Sequence, residues 1–227
     1  MATYQKTLAT RAKIIHVACE LFCEKGYEHT TTREIAEAAG ISRGNLQYHF
    51  PNKIDIAKQI GQEFIDNLFL EMREILFHSV NDLILRDTIH INCFVSVFLS
   101  NNRYTKFYHE LGKMNLLSEL LINSNIRHYI EQADYLRLNI DKRLLIGYST
   151  VFVSTMVSLI MAKDEQRNML SNDEIYEACH IVHLSFLKMD QVKIREYITQ
   201  AKQYSDRIGW EMSSLTEIKV KQYDQTI

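Results

Sequence analysis

Thr30-Thr31-Thr32-Arg33-Glu34-Ile35-Ala36-Glu37-Ala38-Ala39-Gly40-Ile41-Ser42-Arg43-Gly44-Asn45-Leu46-Gln47-Tyr48-His49-Phe50-Pro51-Asn52-Lys53 decides the reading of this chain. Thr31 and Glu34 stand at capping-box spacing, so a helix starts there and runs through Ile35, Ala36 and Ala39. Gly40 breaks it after about two turns, at 3.6 residues per turn. Ser42 is placed to cap a second short helix, Arg43 to about His49. Phe50-Pro51-Asn52 stops that helix, and Asn52 is placed to cap the next. Two short helices across a glycine turn are a helix-turn-helix outline, and Ala36, Ala39 and Gly40 allow a close crossing.

Upstream, Ile14, Ile15, Ala18, Leu21 and Phe22 share one face of a helix from about Thr7 to Lys25, with Gly26 at its end. Downstream, Ile56, Ile60, Phe64, Leu68, Met72 and Ile75 stripe a long helix from Lys53 to about His78. Further helices are expected at about 82–99, 103–121, 124–136, 142–163, 172–189 and 190–208. Ser171 and Glu174 repeat the capping-box spacing. With seven glycines and one proline in 227 residues there is little material for hairpins, and the class expected is all-α. The expected organisation is a 1–52 DNA-binding head, a 53–208 helical ligand-binding and dimerisation body, and a polar, loosely held tail at 209–227.

The net charge of −2 argues against a nucleic-acid binder until its distribution is read. Residues 1–53 hold seven Lys/Arg against five Glu, so a mildly basic head precedes an acidic body. The four cysteines form no CxxC pair and no signal peptide opens the chain, so the expected compartment is the cytoplasm with reduced thiols.

The run from Ile14 to Tyr27, with Thr31-Thr32-Arg33-Glu34-Ile35-Ala36, Ala39-Gly40-Ile41-Ser42-Arg43-Gly44 and His49-Phe50-Pro51-Asn52-Lys53, resembles the TetR family of bacterial regulators. The resemblance covers about residues 10–57 and implies a homodimer that represses from a palindromic double-stranded DNA operator and is released by a small hydrophobic or aromatic effector. It implies a DNA-binding set of Thr31, Thr32, Arg33, Ser42, Arg43, Gly44, Asn45, Gln47, Tyr48, His49 and Lys53. Arg43, Asn45 and Gln47 have the donor patterns that suit guanine and adenine edges. Gly44 lets the backbone approach, and Thr31, Tyr48, His49 and Lys53 can donate to phosphates. By the resemblance Lys53 and the Thr31/Thr32 helix end clamp the backbone. One departure is that Gln47 stands where the family usually has tyrosine, with Tyr48 following.

In the body, Phe94, Phe98, Tyr104, Phe107, Tyr108, Met114, Tyr129, Tyr148, Phe152 and Met156 line a ligand cavity or simply form core. Leu144 to Ala162 is uncharged over nineteen residues, five of them Ser or Thr. Gly147, Thr150, Ser154 and Ser158 on one face let two helices approach closely and point to a helix buried in the body at the dimer seam, with the 172–189 helix, rather than a membrane, although a membrane anchor is an alternative. Control by a protein partner instead of a small molecule is another. His16/Cys19/Cys23 and His180/His183 share helix faces but do not make four ligands, so no metal is expected. No cofactor loop or catalytic constellation is visible, and an enzyme is not expected.

Overall fold

The computed structural model describes residues 2–100, 102–165 and 170–222. Ten helices run in order: α1 (Ala2–Lys25), α2 (Thr32–Ala38), α3 (Arg43–His49), α4 (Lys53–Ser79), α5 (Leu83–Leu99), α6 (Thr105–Lys113), α7 (Leu116–Tyr135), α8 (Lys142–Asp164), α9 (Asn172–Phe186) and α10 (Gln191–Ser205). The fold is all-α apart from one hairpin, β1 (Gly209–Met212) and β2 (Ile218–Gln222).

Local chemistry sets the head. Gly26 and Gly40 end α1 and α2 at φ +84° and +64°, a region where a side chain would be strained. The Gly40 and Ile41 N–H groups then return to the Glu37 and Ala36 carbonyls at 3.0 Å. Ile14, Ala18, Phe22, Ile35, Ala39, Leu46 and Phe50 bury themselves between α1, α2 and α3.

α4 is 27 residues long, about 40 Å at 1.5 Å per residue. Its buried row, Ile56, Ile60, Phe64, Leu68 and Met72, is the stripe expected for it, except that Leu76 closes the row and Ile75, expected there, is only half-buried. At Gly61 a side chain would meet Leu120 Cδ1 at 2.6 Å, so glycine here lets α7 cross closely. α7 lies against α8, α8 against α9, and α5 is wrapped by α10, α8 and α9.

Two expectations need correction. The helix expected to end near 121 ends at Lys113, and α7 runs straight through 122–123. The break is Asn115 at φ 59°, a left-handed conformation that asparagine tolerates. The tail expected at 209–227 is not loosely held over its described part; residues 223–227 lie outside the described residues. β1 and β2 pair antiparallel with Trp210 opposite Val220 and Met212 opposite Ile218. Met212, Leu215 and Ile218 enter the core. The hairpin docks on α4 and α6: Asn67 Nδ2 donates to the Thr216 carbonyl (2.8 Å), Tyr104 Oη to that of Ser213 (2.6 Å), and Tyr108 Oη to that of Leu215. Trp210 Nε1 donates to Ser96 Oγ on α5 at 3.1 Å.

Leu215 is fully buried, so Leu215→Ala should cost about 2–5 kcal/mol of unfolding free energy in urea titrations. A loss near zero would mean that the hairpin is undocked in solution.

Candidate nucleic-acid interface and body pocket

α3 is held from beneath. Ser42 caps it by accepting from Asn45 N–H at 3.1 Å, and Leu46 and Phe50 anchor it in the head core. Arg11 on α1, which the sequence reading missed, ties its far end: Nη1 donates to the His49 carbonyl (2.6 Å) and Nη2 to Gln59 Oε1 on α4 (3.5 Å), while the guanidinium lies 4.1 Å over the Phe50 ring. No periodicity marks such a residue, because its partners are 38 and 48 positions away.

This leaves Arg43, Gly44, Asn45, Gln47 and Tyr48 on the surface, Tyr48 at 78% exposure. Among the described residues the Arg43 and Gln47 side chains make no hydrogen bond or ion pair. They are four positions apart and therefore on one face. Gly44 would meet nothing within 4 Å with a Cβ, so packing does not demand glycine there. His49 is half-buried with its ring edge-on to Tyr48 at 5.1 Å. The arrangement is a short helix offering donors and acceptors outward from a fixed platform.

Four of the other candidates are engaged within the protein. Ser42 is occupied as the cap. Thr31 Oγ1 donates to Glu34 Oε2 (2.9 Å) and accepts from Glu34 N–H (3.2 Å), so its proton is committed to the capping box. Glu34 also holds Lys25 at 2.7 Å, and Lys25 with the Thr31 groups lowers its carboxyl to about 2. Arg33 pairs with Glu37 at 2.8 Å on the open surface, where such a pair is weak enough to exchange for another anion. Thr32 is half-buried at the start of α2. Lys53 departs most from expectation. Its Nζ donates to the carbonyls of Tyr27 (2.7 Å) and Thr30 (2.8 Å), with that of Glu28 at 3.4 Å, and sits 4.2 Å over the Tyr27 ring. Burial lowers its pKa. Lys53 joins α4 to the α1–α2 loop, so the phosphate clamp expected of it is not its conformation here.

The body contains a pocket of about 40 Å³ between α4, α5, α7 and α8. Of the ten candidate ligand residues, Phe94, Phe152 and Met156 line it. The others are elsewhere. Phe98 and Tyr108 pack edge-on, each also against Phe64. Phe107 stacks on Phe22 at 5.3 Å, Tyr104 holds the hairpin, and Met114 is half-buried in the α6–α7 turn. Tyr129 Oη is 2.9 Å from His183 Nδ1, and Tyr148 stacks on Phe186 at 4.4 Å.

The pocket floor is polar, which the reading of aromatics missed. Asp87 and His90 on α5 and Asn125 and His128 on α7 line it. His128 Nδ1 is 3.3 Å from Asp87 Oδ1, and Gln132 Nε2 donates to Asp87 Oδ2. Deeper, His180 Nε2 lies 2.7 Å from Asn92 Oδ1. Burial lowers His90 and His183 to about 4 and His180 to about 3, so all three rings are neutral at pH 7. Burial also opposes charge on His128, but the adjacent Asp87 outweighs it and the pKa rises. Burial would raise Asp87; His128 and its neighbours reverse this, and the pKa is lowered. Among the described residues no three His, Cys, Asp or Glu group to hold a metal.

Residues 14–60 match the family model for bacterial regulatory proteins of the tetR family. The biofilm operon negative regulator IcaR of Staphylococcus epidermidis is 30% identical over 122 residues, 54% of this chain and 62% of that protein. The repressor KstR2 of Rhodococcus jostii is 42% identical over 66 residues, 29% of this chain and 32% of its own length. The chain thus spans less than two thirds of the length of these curated relatives. Among solved structures, RolR in complex with resorcinol superposes with a TM-score of 0.63 at 19% identity, covering 88% of this chain and 96% of that one. The FadR repressor of Thermus thermophilus with lauroyl-CoA gives 0.63 at 18%, covering 77% and 93%. At such identities the likeness is one of fold. A capped, outward-facing α3 on a three-helix head, carried by a helical body, is the architecture of a helix-turn-helix regulator. Residues 14–60 thus match the N-terminal domain of the tetR family, and the rest of the chain shares the fold of solved members.

Two measurements check the electrostatics. Lys53→Ala should lower the melting temperature of the chain by removing hydrogen bonds worth about 1 kcal/mol each, while leaving the slope of log affinity against log salt unchanged. A slope shallower by about one would restore Lys53 as a phosphate contact. The neutral histidines make stability fall with acid. Between their folded values and about 6.5 the unfolded chain binds protons that the folded one refuses, so stability is lost as pH drops from about 6.5 toward 4. The raised His128 acts oppositely, contributing below about 6.5 and losing that contribution as pH rises through its folded pKa. His180→Gln keeps a donor for Asn92 and removes one titration, so its unfolding free energy from urea titrations should fall by roughly 2 kcal/mol less than that of wild type between pH 7 and 5.

Proposed function

We propose that the protein is a homodimeric repressor that binds a palindromic operator through α3 and releases it when a small molecule enters the body. The observation that carries this reading is the face of α3, where among the described residues Arg43 and Gln47 make no hydrogen bond or ion pair on a helix held at both ends. Buried side chains find partners within the protein; donors left free on a rigid exposed helix are suited to base edges in a major groove. Arg33, Asn45, Tyr48 and His49 flank them for phosphate or base contacts, and Gly44 leaves room for the backbone to approach. The matched relatives are transcriptional regulators, which favours regulation over catalysis.

A second copy fits on α8 and α9. Leu144, Ile146 and Val151 are about half exposed, Ile181 is also exposed, and Ser154 and Ser158 lie open between them. Gly147 has nothing within 4 Å of a Cβ position, which makes space for a partner helix. α8 is long and apolar enough to cross a membrane, and 44% of its apolar window is buried inside the protein. Its buried face packs on α5, α7 and α9, and its open face mixes hydroxyls with aliphatics, which favours a protein partner over lipid. Two-fold pairing through this face would set two α3 helices against two half-sites.

Two routes connect body to head. α4 carries Phe69 at the pocket and Lys53 at the head. From α6, Glu110 Oε2 accepts from the Tyr27 N–H at 2.7 Å, beside the Phe22–Phe107 stack. RolR holds resorcinol and FadR lauroyl-CoA in their solved complexes, which supports a small-molecule role for this body. The chain is expected to reside in the cytoplasm with its DNA.

The test is retention of a genomic fragment library by the purified chain across a salt titration. Selective retention of one fragment, by two chains per site and weakening as salt rises, is the expected result; no retention at low salt overturns the reading. On that fragment Arg43→Ala should lose about 1–3 kcal/mol and relax base preference at one position per half-site. An equal loss on random DNA would remove Arg43 from base reading.

A further inference from the structure

The chemistry of the body pocket restricts what can fill it, and this inference rests on the reading of the body as the effector-sensing part. Phe69, Phe94, Phe152 and Met156 form apolar walls. Two buried polar atoms in the lining have no partner, and the Ser124 hydroxyl beside them can donate or accept. Asn125 Oδ1 is buried without a hydrogen-bond partner, and so is His90 Nε2. Burial keeps the His90 ring neutral, and with its proton on Nδ1 the ring presents Nε2 as a lone pair. Asp87, between them, is an anion that accepts from Gln132 and His128 and has lone pairs beyond these two bonds. Each unmade hydrogen bond of a buried acceptor is costly, so a ligand that donates gains where one that only fills space does not. A second anion here would face Asp87 at close range in an apolar setting. The cations Arg73, Arg86 and Arg127 border the outer groove, where Asp66 and Glu131 accompany them, and none of the three lines the inner pocket; there His128, whose pKa Asp87 raises, is the one group that can offset the Asp87 charge.

The space of about 40 Å³ suits water-sized occupants. A ring must move a wall to enter, and the outer groove of about 710 Å³ shares Phe69, Asp87, His90, Ser124 and His128 with the pocket. Phe69 stands between the two, stacked on His128 at 4.8 Å and edge-on to His90 at 4.5 Å. It is carried by α4, whose other end bears Lys53.

We propose that the pocket selects a ring-sized, neutral or cationic ligand bearing an O–H or N–H donor for Asn125 Oδ1, His90 Nε2 and Asp87, and that its entry displaces the Phe69 ring. Carboxylates and other anions of the same size are rejected, and rings without a donor bind weakly.

The test titrates phenol, benzylamine, toluene and benzoate calorimetrically into the full chain. Phenol or benzylamine should bind at least tenfold more tightly than toluene, with benzoate weakest. Asn125→Leu, similar in volume, should bring phenol to within threefold of toluene; Asp87→Asn should abolish the preference over benzoate. If the Asp87 variant does not fold, the Asn125 variant and the four-probe ranking on wild type still decide. Benzoate matching phenol, toluene matching phenol, or no binding by any probe overturns the proposal. Retention of genomic fragments is measured on the same preparation without probe. Donor preference without DNA retention would uphold the pocket and reject the regulator; DNA retention without donor preference would do the reverse.

Discussion

The α1–α2 loop has too few partners of its own, and Lys53 and Glu110 supply them from outside. Lys53 at the start of α4 takes carbonyls of Tyr27 and Thr30, and Glu110 on α6 takes the Tyr27 N–H. Gly26 is required at this point twice over. Its backbone is left-handed, and a Cβ would lie 2.9 Å from Glu110 Oε1. The two charged groups attract each other across the loop, and Glu110 is the largest influence sustaining the charge on Lys53 against burial. The head is thereby fixed to two body helices through one turn of backbone. A displacement of either helix is transmitted to the frame that carries α3, because no flexible linker intervenes to absorb it.

The same joint explains why the contacts Lys53 makes within the protein were not legible in the sequence. At sequence level a lysine opening a long helix after a capping asparagine is a cation beside the DNA-facing surface. Its three acceptors lie 23 to 26 positions upstream, on a loop whose path nothing local dictates. By contrast α2 and α3 were legible almost residue for residue, since a capping box, two left-handed glycines and one proline are short-range signals. The hairpin was invisible for the opposite reason. Its strands are four and five residues long, and what stabilises them is docking to Asn67, Glu71, Tyr104 and Tyr108, more than a hundred residues earlier. Met212, Leu215 and Ile218 look like isolated apolar residues in a polar tail until α4 and α6 are beneath them.

The pocket followed the same division. Aromatic residues were the natural guide to a cavity, yet most of them are core: Phe98, Phe107 and Tyr108 fill the space between α4, α6 and the hairpin, where they have partners on every side. What distinguishes a pocket from core is incompleteness, and that appears only when side chains are placed. Asn125 and His90 end in polar atoms with no partner, which a core does not tolerate cheaply. His180 and His183 stand out in sequence as a pair on one face; one ring nitrogen of each is bonded, to Asn92 and Tyr129 respectively, and the other is buried without a partner outside the pocket lining.

Burying this polar cluster has a cost that a purely structural body would avoid, since apolar residues of similar volume are often at least as stable. Its placement gives the cost a purpose. The aromatic lever Phe69 rests on two imidazoles, His90 and His128, rather than on an aliphatic wall. Contacts of that kind can be exchanged for a ligand's hydrogen bonds without opening the surrounding core, whose buried residues from Phe64 to Leu76 stay packed along α4. On the proposed reading the sensing site is local and soft, while α4, to which it is joined through Phe69, is long and stiff. That contrast is what a change of a few ångströms in the body needs in order to reach Arg43 as a rigid displacement of the head instead of dissipating in side-chain rearrangement.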